Sequence, residues 1–191
     1  PIKSAQQFRA DLDFLLTHFI PASAQEVLDH TTEKEPLKRP SFFLSFDDGL
    51  KELYHEVVPI LREKGVPATF FVNSAFVDNK NLFYRHKVAL LADKINKGIS
   101  DITRKEADAL LCECPDKTLV AKVLNLRYDQ QDLIERLGVI LNVDFQGFLE
   151  KEKPYLTTEQ LSDLKEKKFT IGSHSIDHSP YQLLPIEGQL R

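Results

Sequence analysis

The sequence predicts an α/β fold built on parallel strands, and three observations carry that reading. Residues 41–46, SFFLSF, hold four apolar residues in six positions, the pattern of a strand buried on both faces, as in a parallel sheet. Leu50, Leu53, Tyr54, Val57, Val58 and Leu61 then fall on one face of a helix, with Gly65 placed as its C-terminal glycine. Residues 66–72, VPATFFV, supply a second β-rich run, so strand, helix and strand form a crossover unit with a parallel pair.

The remaining elements follow in chain order. Phe8, Leu12, Leu15, Leu16 and Phe19 recur at spacings of three and four, which predicts an N-terminal helix capped by Ser4 and ended by Pro21. A short helix over 24–30 and the polar linker TTEKEPLKRP complete an N-terminal region, 1–40. Pro59 inside the helix after the first strand predicts a kink. From 78 to 155 only helical patterns occur, at 83–95, 105–111, 118–124, 131–141 and 148–152, which reads as a helical insertion. The β/α pattern resumes in LTTEQLSDLKEKKFTIGSHSIDH: Thr157 and Gln160 have capping-box spacing, the helix runs to about Lys167, and 169–173 is a strand. The strand-bearing part is therefore 41–77 with 156–191.

Composition narrows the function classes. The 191 residues are 42% hydrophobic with a net charge of −4, enough for one sizeable core and an appended subdomain. No apolar run approaches the ~20 residues of a membrane span, and the opening PIKSAQQFRADLDF lacks the plan of a signal peptide. With no block of Lys and Arg, nucleic acid and anionic membrane are disfavoured as partners, and an uncharged partner fits better. Cys112 and Cys114, one residue apart, are too close for an ordinary disulfide and read as free thiols. The absence of Met means that the initiator was removed or that the native start lies upstream.

Asp47 and Asp48 end the first strand and precede Gly49. Asp-Gly is a hairpin signal, but the helical periodicity from Leu50 leaves no room for a returning strand. The acids instead sit at the carboxyl end of a parallel strand, where α/β folds place binding and catalytic groups. Two adjacent carboxylates repel, a cost that a cation, a shared proton or water offsets, and a metal is the economical choice. The matching segment is HSIDH, 174–178, after the strand FTIGS. His174 and His178 are four apart and can face one side on a helical or turn-like backbone. Six histidines in 191 residues would give about 0.15 such pairs by chance, so it is the position on a strand's carboxyl end that carries the argument. Two neutral imidazoles and a carboxylate form a facial set typical of Zn2+ and other divalent ions. One acid would bind the ion and the other serve as a base toward a water whose pKa the metal lowers from 15.7 to roughly 7. The implied reaction class is metal-assisted hydrolysis of a carbonyl compound.

SFDDG followed by a helix and GVPATFFV, then IGSHSIDH, closely resembles the NodB-homology polysaccharide deacetylases, carbohydrate esterase family four. The first family motif is an apolar strand ending in F-D-D-G and the second is H-[S/T]-x-x-H. The resemblance implies that Asp47 is the general base, that Asp48, His174 and His178 hold the metal, Zn2+ before Co2+, Ni2+ or Mn2+, and that the fold is a distorted (β/α) barrel. It implies an acetylated glycan as substrate, N-acetylated sugars foremost, and an envelope or secreted setting. Ser175, at the family's Ser/Thr position, is expected to stiffen the ligand loop by a local hydrogen bond, with Gly49 supporting the first motif. The helical insertion matches nothing in the family pattern.

The family's later motifs, an Arg orienting the base, oxyanion donors with apolar walls, and a general-acid His, are not seen in the thirteen residues after His178. A barrel usually takes ~250 residues, so the expectation is an incomplete barrel, a fragment or one partner of a longer assembly. His55 is expected to be solvated, and His18 and His30 to end short helices, where an imidazolium favours the dipole. A surface or packing role is preferred for His86, the one further histidine that could approach the rim; Asp177 could support the two histidines it lies between, but reads first as an exposed turn acid. Two rivals stand beside the hydrolase: a non-catalytic glycan-binding protein that kept the pocket, and an Mg2+ phosphoryl-transfer domain, which would leave HSIDH without a task.

Overall fold

A computed structural model describes residues 3–32, 34–37, 39–114 and 116–189. The chain divides into two units, 1–79 with 154–176, and 80–153 with 177–191. Residues 177–191, grouped by the sequence reading with the strands, fall in the second unit. Two contacts that hold them there are the Tyr128 hydroxyl on Asp177 and the Phe83 ring against His178.

The first unit opens with α1 (Ala5–His18), started by the expected Ser4, which forms a capping box with Gln7. β1 (Ile20–Ala22) follows, then α2 (Ala24–Thr31). Pro21, expected only to stop the helix, lies inside β1. Its missing N–H is tolerable because, among the described residues, β1 pairs with a single strand, the parallel β2 (Ser41–Phe43). The strand expected over 41–46 is two strands: β2, and β3 (Ser45–Phe46), which pairs with a different sheet. It is also not buried on both faces, since Phe43 is 40% exposed.

β3, β4 (Thr69–Val72) and β5 (Thr170–Ser173) form a parallel sheet in that order, with Phe46 opposite Phe70 and Val72 opposite Ser173. Between β3 and β4 the expected kink takes a specific form. A π turn over Leu53–Val57 precedes α3 (Val58–Lys64), and Val58 N–H reaches back five residues to Leu53 O. The wider turn accommodates a proline that brings no N–H and whose ring crowds the preceding carbonyls. Gly65 closes α3 in the left-handed conformation, φ 65°, as expected of a C-terminal glycine. α9 spans Thr158–Glu166, started by the Thr157–Gln160 capping box. The core here joins Leu12, Leu61, Phe70, Leu156 and Leu164, all at most 1% exposed. Phe70 stacks on Phe46 at 5.4 Å and meets Phe169 edge-on at 5.5 Å.

The second unit is helical, with α4 (Tyr84–Lys97), α5 (Asp101–Leu110), α6 (Leu119–Leu124), α7 (Gln131–Leu141), α8 (Phe145–Glu152) and the short α10 (Ile186–Gln189). Leu91, Val123, Ile134 and Leu137, each 0% exposed, centre its own core. Cys112 and Cys114 are free, as expected. The described residues form short parallel strands and many helices, a mixed α/β fold, and they close no barrel.

Candidate active site

The carboxyl ends of three adjacent parallel strands build the site. Past β3 come Asp47 and Asp48, past β4 comes Asn73, and past β5 comes His174. Because the strands are parallel and in register, the residues that follow them emerge on one rim.

The backbone at the first motif is unusual. Asp48 and Gly49 both have positive φ, 68° and 64°, a left-handed pair that turns the chain out of β3 and into the helical stretch. Asp tolerates this region better than most side chains, and glycine enters it freely. The turn is fastened to the segment before α9: Leu156 N–H donates to Gly49 O at 2.8 Å and Lys51 N–H to Pro154 O at 2.8 Å. Asp47 is exposed.

Asp48 Oδ1 lies 3.7 Å from His174 Nε2, with 36% and 35% of the two side chains exposed. Two ligands at ~2.0–2.1 Å from one tetrahedral ion stand about 3.3 Å apart, so this pair fits one divalent cation after a small adjustment. The donors, a carboxylate oxygen and an imidazole nitrogen, suit Zn2+ and its neighbours. His178 belongs to the segment that clusters with the second unit, where its ring lies 4.9 Å from that of Phe83.

Sequence reasoning passed over Asn73. It is 1% exposed, and its Nδ2 donates to His174 O and, at 3.2 Å, to Ser175 Oγ. The available signal was a polar residue directly after a buried strand that lies between the two motif strands. Ser175 was expected to bond the local backbone; its hydroxyl oxygen accepts instead from the Asn73 side chain, 102 positions away in sequence, and its φ is 70°.

Asp177 departs from its expected role as an exposed turn acid. It is half-buried and accepts from the Tyr128 hydroxyl at 2.7 Å and from Ser179 N–H at 3.2 Å. Burial pushes its carboxyl up, but the hydrogen bonds from Ser179 and Tyr128 outweigh that and hold it below the usual carboxylate value. Burial foremost, with the Asp177 contact, raises the Tyr128 phenol. His86 sits in α4 with its ring 5.9 Å from Phe83. His55 is exposed, with its Nε2 3.4 Å from the Gln160 amide, and His18 and His30 occupy last turns of helices as expected.

Residues 34–191 match the polysaccharide deacetylase family over most of the chain. The chain belongs to the polysaccharide deacetylase family. No curated protein and no solved structure matches it. Membership of the deacetylases supports a hydrolase of the carbohydrate esterase kind, one of a family generally dependent on a metal and acting on acetylated glycans. Among the described residues no helix is long and apolar enough to cross a membrane.

Proposed function

We propose that this polysaccharide deacetylase hydrolyses acetamido groups of an N-acetylated glycan, with Asp48, His174 and His178 holding one divalent cation, Zn2+ foremost, and Asp47 acting as general base. The observation that carries the reading is the convergence of Asp48 and His174 to 3.7 Å from positions 126 apart in sequence. His178 joins the set through the H-[S/T]-x-x-H motif. A divalent cation at such a site supplies Lewis-acid polarisation of the acyl oxygen and a more acidic water.

The chain's own residues then have distinct tasks. Asp48 and His174 present one anionic and one neutral donor on the rim. Asp47, exposed beside them, takes the proton of the attacking water as its oxygen bonds to the acyl carbon. The proton taken up by Asp47 returns to the sugar nitrogen as the carbon–nitrogen bond breaks, which yields acetate and the free amine of the sugar. We read β3, β4 and β5 as consecutive strands of a (β/α) barrel, with 80–153 as an insertion, and place the protein in or beyond the cell envelope, where such glycans lie.

Acetate release from N-acetylated glycan oligomers tests the chemistry. Activity in the parent chain that falls at least 10²-fold in Asp47→Asn, as expected for a lost general base, supports the assignment; equal activity in that variant removes Asp47 from the role. Glycan binding without acetate release would favour a non-catalytic member. Calorimetric titration of the metal-stripped chain with Zn2+ tests the donors: one tight site is expected, lost in Asp48→Asn and in His174→Ala.

A further inference from the structure

We propose that Asn73 is a positioning residue, an amide clamp that fixes the path of the ligand loop from His174 onward; the inference rests on the cation reading above. The hydrogen bonds that join 72–75 to 174–176 include four. Two are main chain to main chain, His174 N–H to Val72 O and Ala75 N–H to Ile176 O, both 2.9 Å. The other two leave Asn73 Nδ2 for His174 O and Ser175 Oγ. The main-chain pair grips the loop before and after Ser175, and neither bond touches the peptide between His174 and Ser175. His174 O belongs to that peptide, and of these four bonds it is one from the Asn73 amide that holds it.

That peptide needs holding. Ser175 has φ 70°, a left-handed conformation that L side chains adopt only where their surroundings impose it. A loop free to relax to negative φ would leave His174 by another path, and the motif's second histidine would follow. Asn73 binds the peptide oxygen on one side of the strained φ and the Ser175 side chain on the other. Its orientation is determined as well. Nδ2 faces two oxygens, while Oδ1 is buried without a hydrogen-bond partner among the described residues. Turning the amide over would set oxygen against the carbonyl of His174, so only one orientation satisfies the site. At 1% exposure water does not replace the missing donor if the side chain is changed. Supporting groups behind metal ligands typically alter affinity by about 10- to 100-fold.

The test uses Asn73→Asp, nearly isosteric but no donor at neutral pH, and Asn73→Ala. Amide hydrogen exchange is followed in the metal-free chain at Ala75, which donates to Ile176, and at Phe70 in the sheet core. The clamp predicts exchange at Ala75 at least tenfold faster in both variants with Phe70 unchanged, and Zn2+ binding about 10- to 100-fold weaker by calorimetry. Unchanged Zn2+ affinity in both variants overturns the proposal. So does equal acceleration at Ala75 and Phe70, which would make Asn73 a general stabiliser of the unit. A parent chain that binds no Zn2+ would overturn the cation reading, and the exchange contrast would then decide the clamp by itself.

Discussion

At the scale of single residues, Gly49 is held to glycine for two independent reasons. Its φ is +64°, and a Cβ built there would stand 3.0 Å from Val72 Cγ1, on the strand next to β3. Gly49→Ala therefore meets both a left-handed penalty of about 1–2 kcal/mol and a contact with a side chain rooted in the sheet. A lower melting temperature is expected, together with weaker Zn2+ binding, because Asp48 is the other half of the same left-handed pair. A melt unchanged from the parent would show that the turn relaxes without cost. Gly172 is constrained differently: its added Cβ would come within 2.5 Å of the Phe71 ring, which lies across its position in the next strand. Asp47, Asp48 and His174 could be singled out as candidates because charged and metal-ligating side chains follow apolar runs. Asn73 could not, because its task lies in hydrogen bonds to another loop's backbone, which composition and spacing do not encode.

At the scale of elements, local chemistry was readable and pairing partners were not. The Thr157–Gln160 box starts α9 as its spacing predicts, with Thr157 Oγ1 accepting from Gln160 N–H at 3.2 Å. Thr157→Ala should cost about 1 kcal/mol and lower the melting temperature without altering Zn2+ affinity; a loss of Zn2+ binding at full folding would mean that the cap also shapes the rim. By contrast, the division of 41–46 into β2 and β3 depends on which strand lies alongside, a non-local choice that a six-residue apolar run leaves open. The π turn before Pro59 is similar: sequence shows that the helix must yield, while packing decides where. α9 carries a further pH-sensitive contact. Asp163 accepts from Lys167 and, at 2.6 Å, from the Tyr54 hydroxyl of the π turn. The Lys167 contact first and the Tyr54 contact second hold the Asp163 carboxyl below its ordinary 3.8. A depressed carboxylate stabilises the folded chain above its unfolded pKa and is lost as pH falls through the folded value. Stability should thus decline below about pH 3.8 through this group, by a small amount because 34% of the Asp163 side chain stays in water, which screens the contact. Asp163→Asn should flatten that part of the stability curve, and an identical acid limb in variant and parent would exclude the contribution.

For the molecule as a whole, the decisive feature is that the two units have separate interiors. The core around Leu61 and Phe70 and the core around Leu91 and Leu137 have no buried residue in common. That the stretch 78–155 is helical was legible in its periodicity, and the division into units falls close to its ends, after 79 and 153. The regrouping of 177–191 was not legible, since it depends on contacts such as Tyr128 with Asp177 and Phe83 with His178 that join distant segments. Separate cores make a prediction about cooperativity. Leu61 and Leu137 are both 0% exposed, so Leu61→Ala and Leu137→Ala should each cost about 2–5 kcal/mol. The loss should be read locally by hydrogen exchange. Leu137→Ala is expected to speed exchange in α4 and α7 while β4 amides keep most of their protection, and Leu61→Ala to do the reverse. Uniform acceleration by either variant would show that the two interiors open together, in which case the HSIDH segment, which crosses the division after Ile176, would couple them into one folding unit.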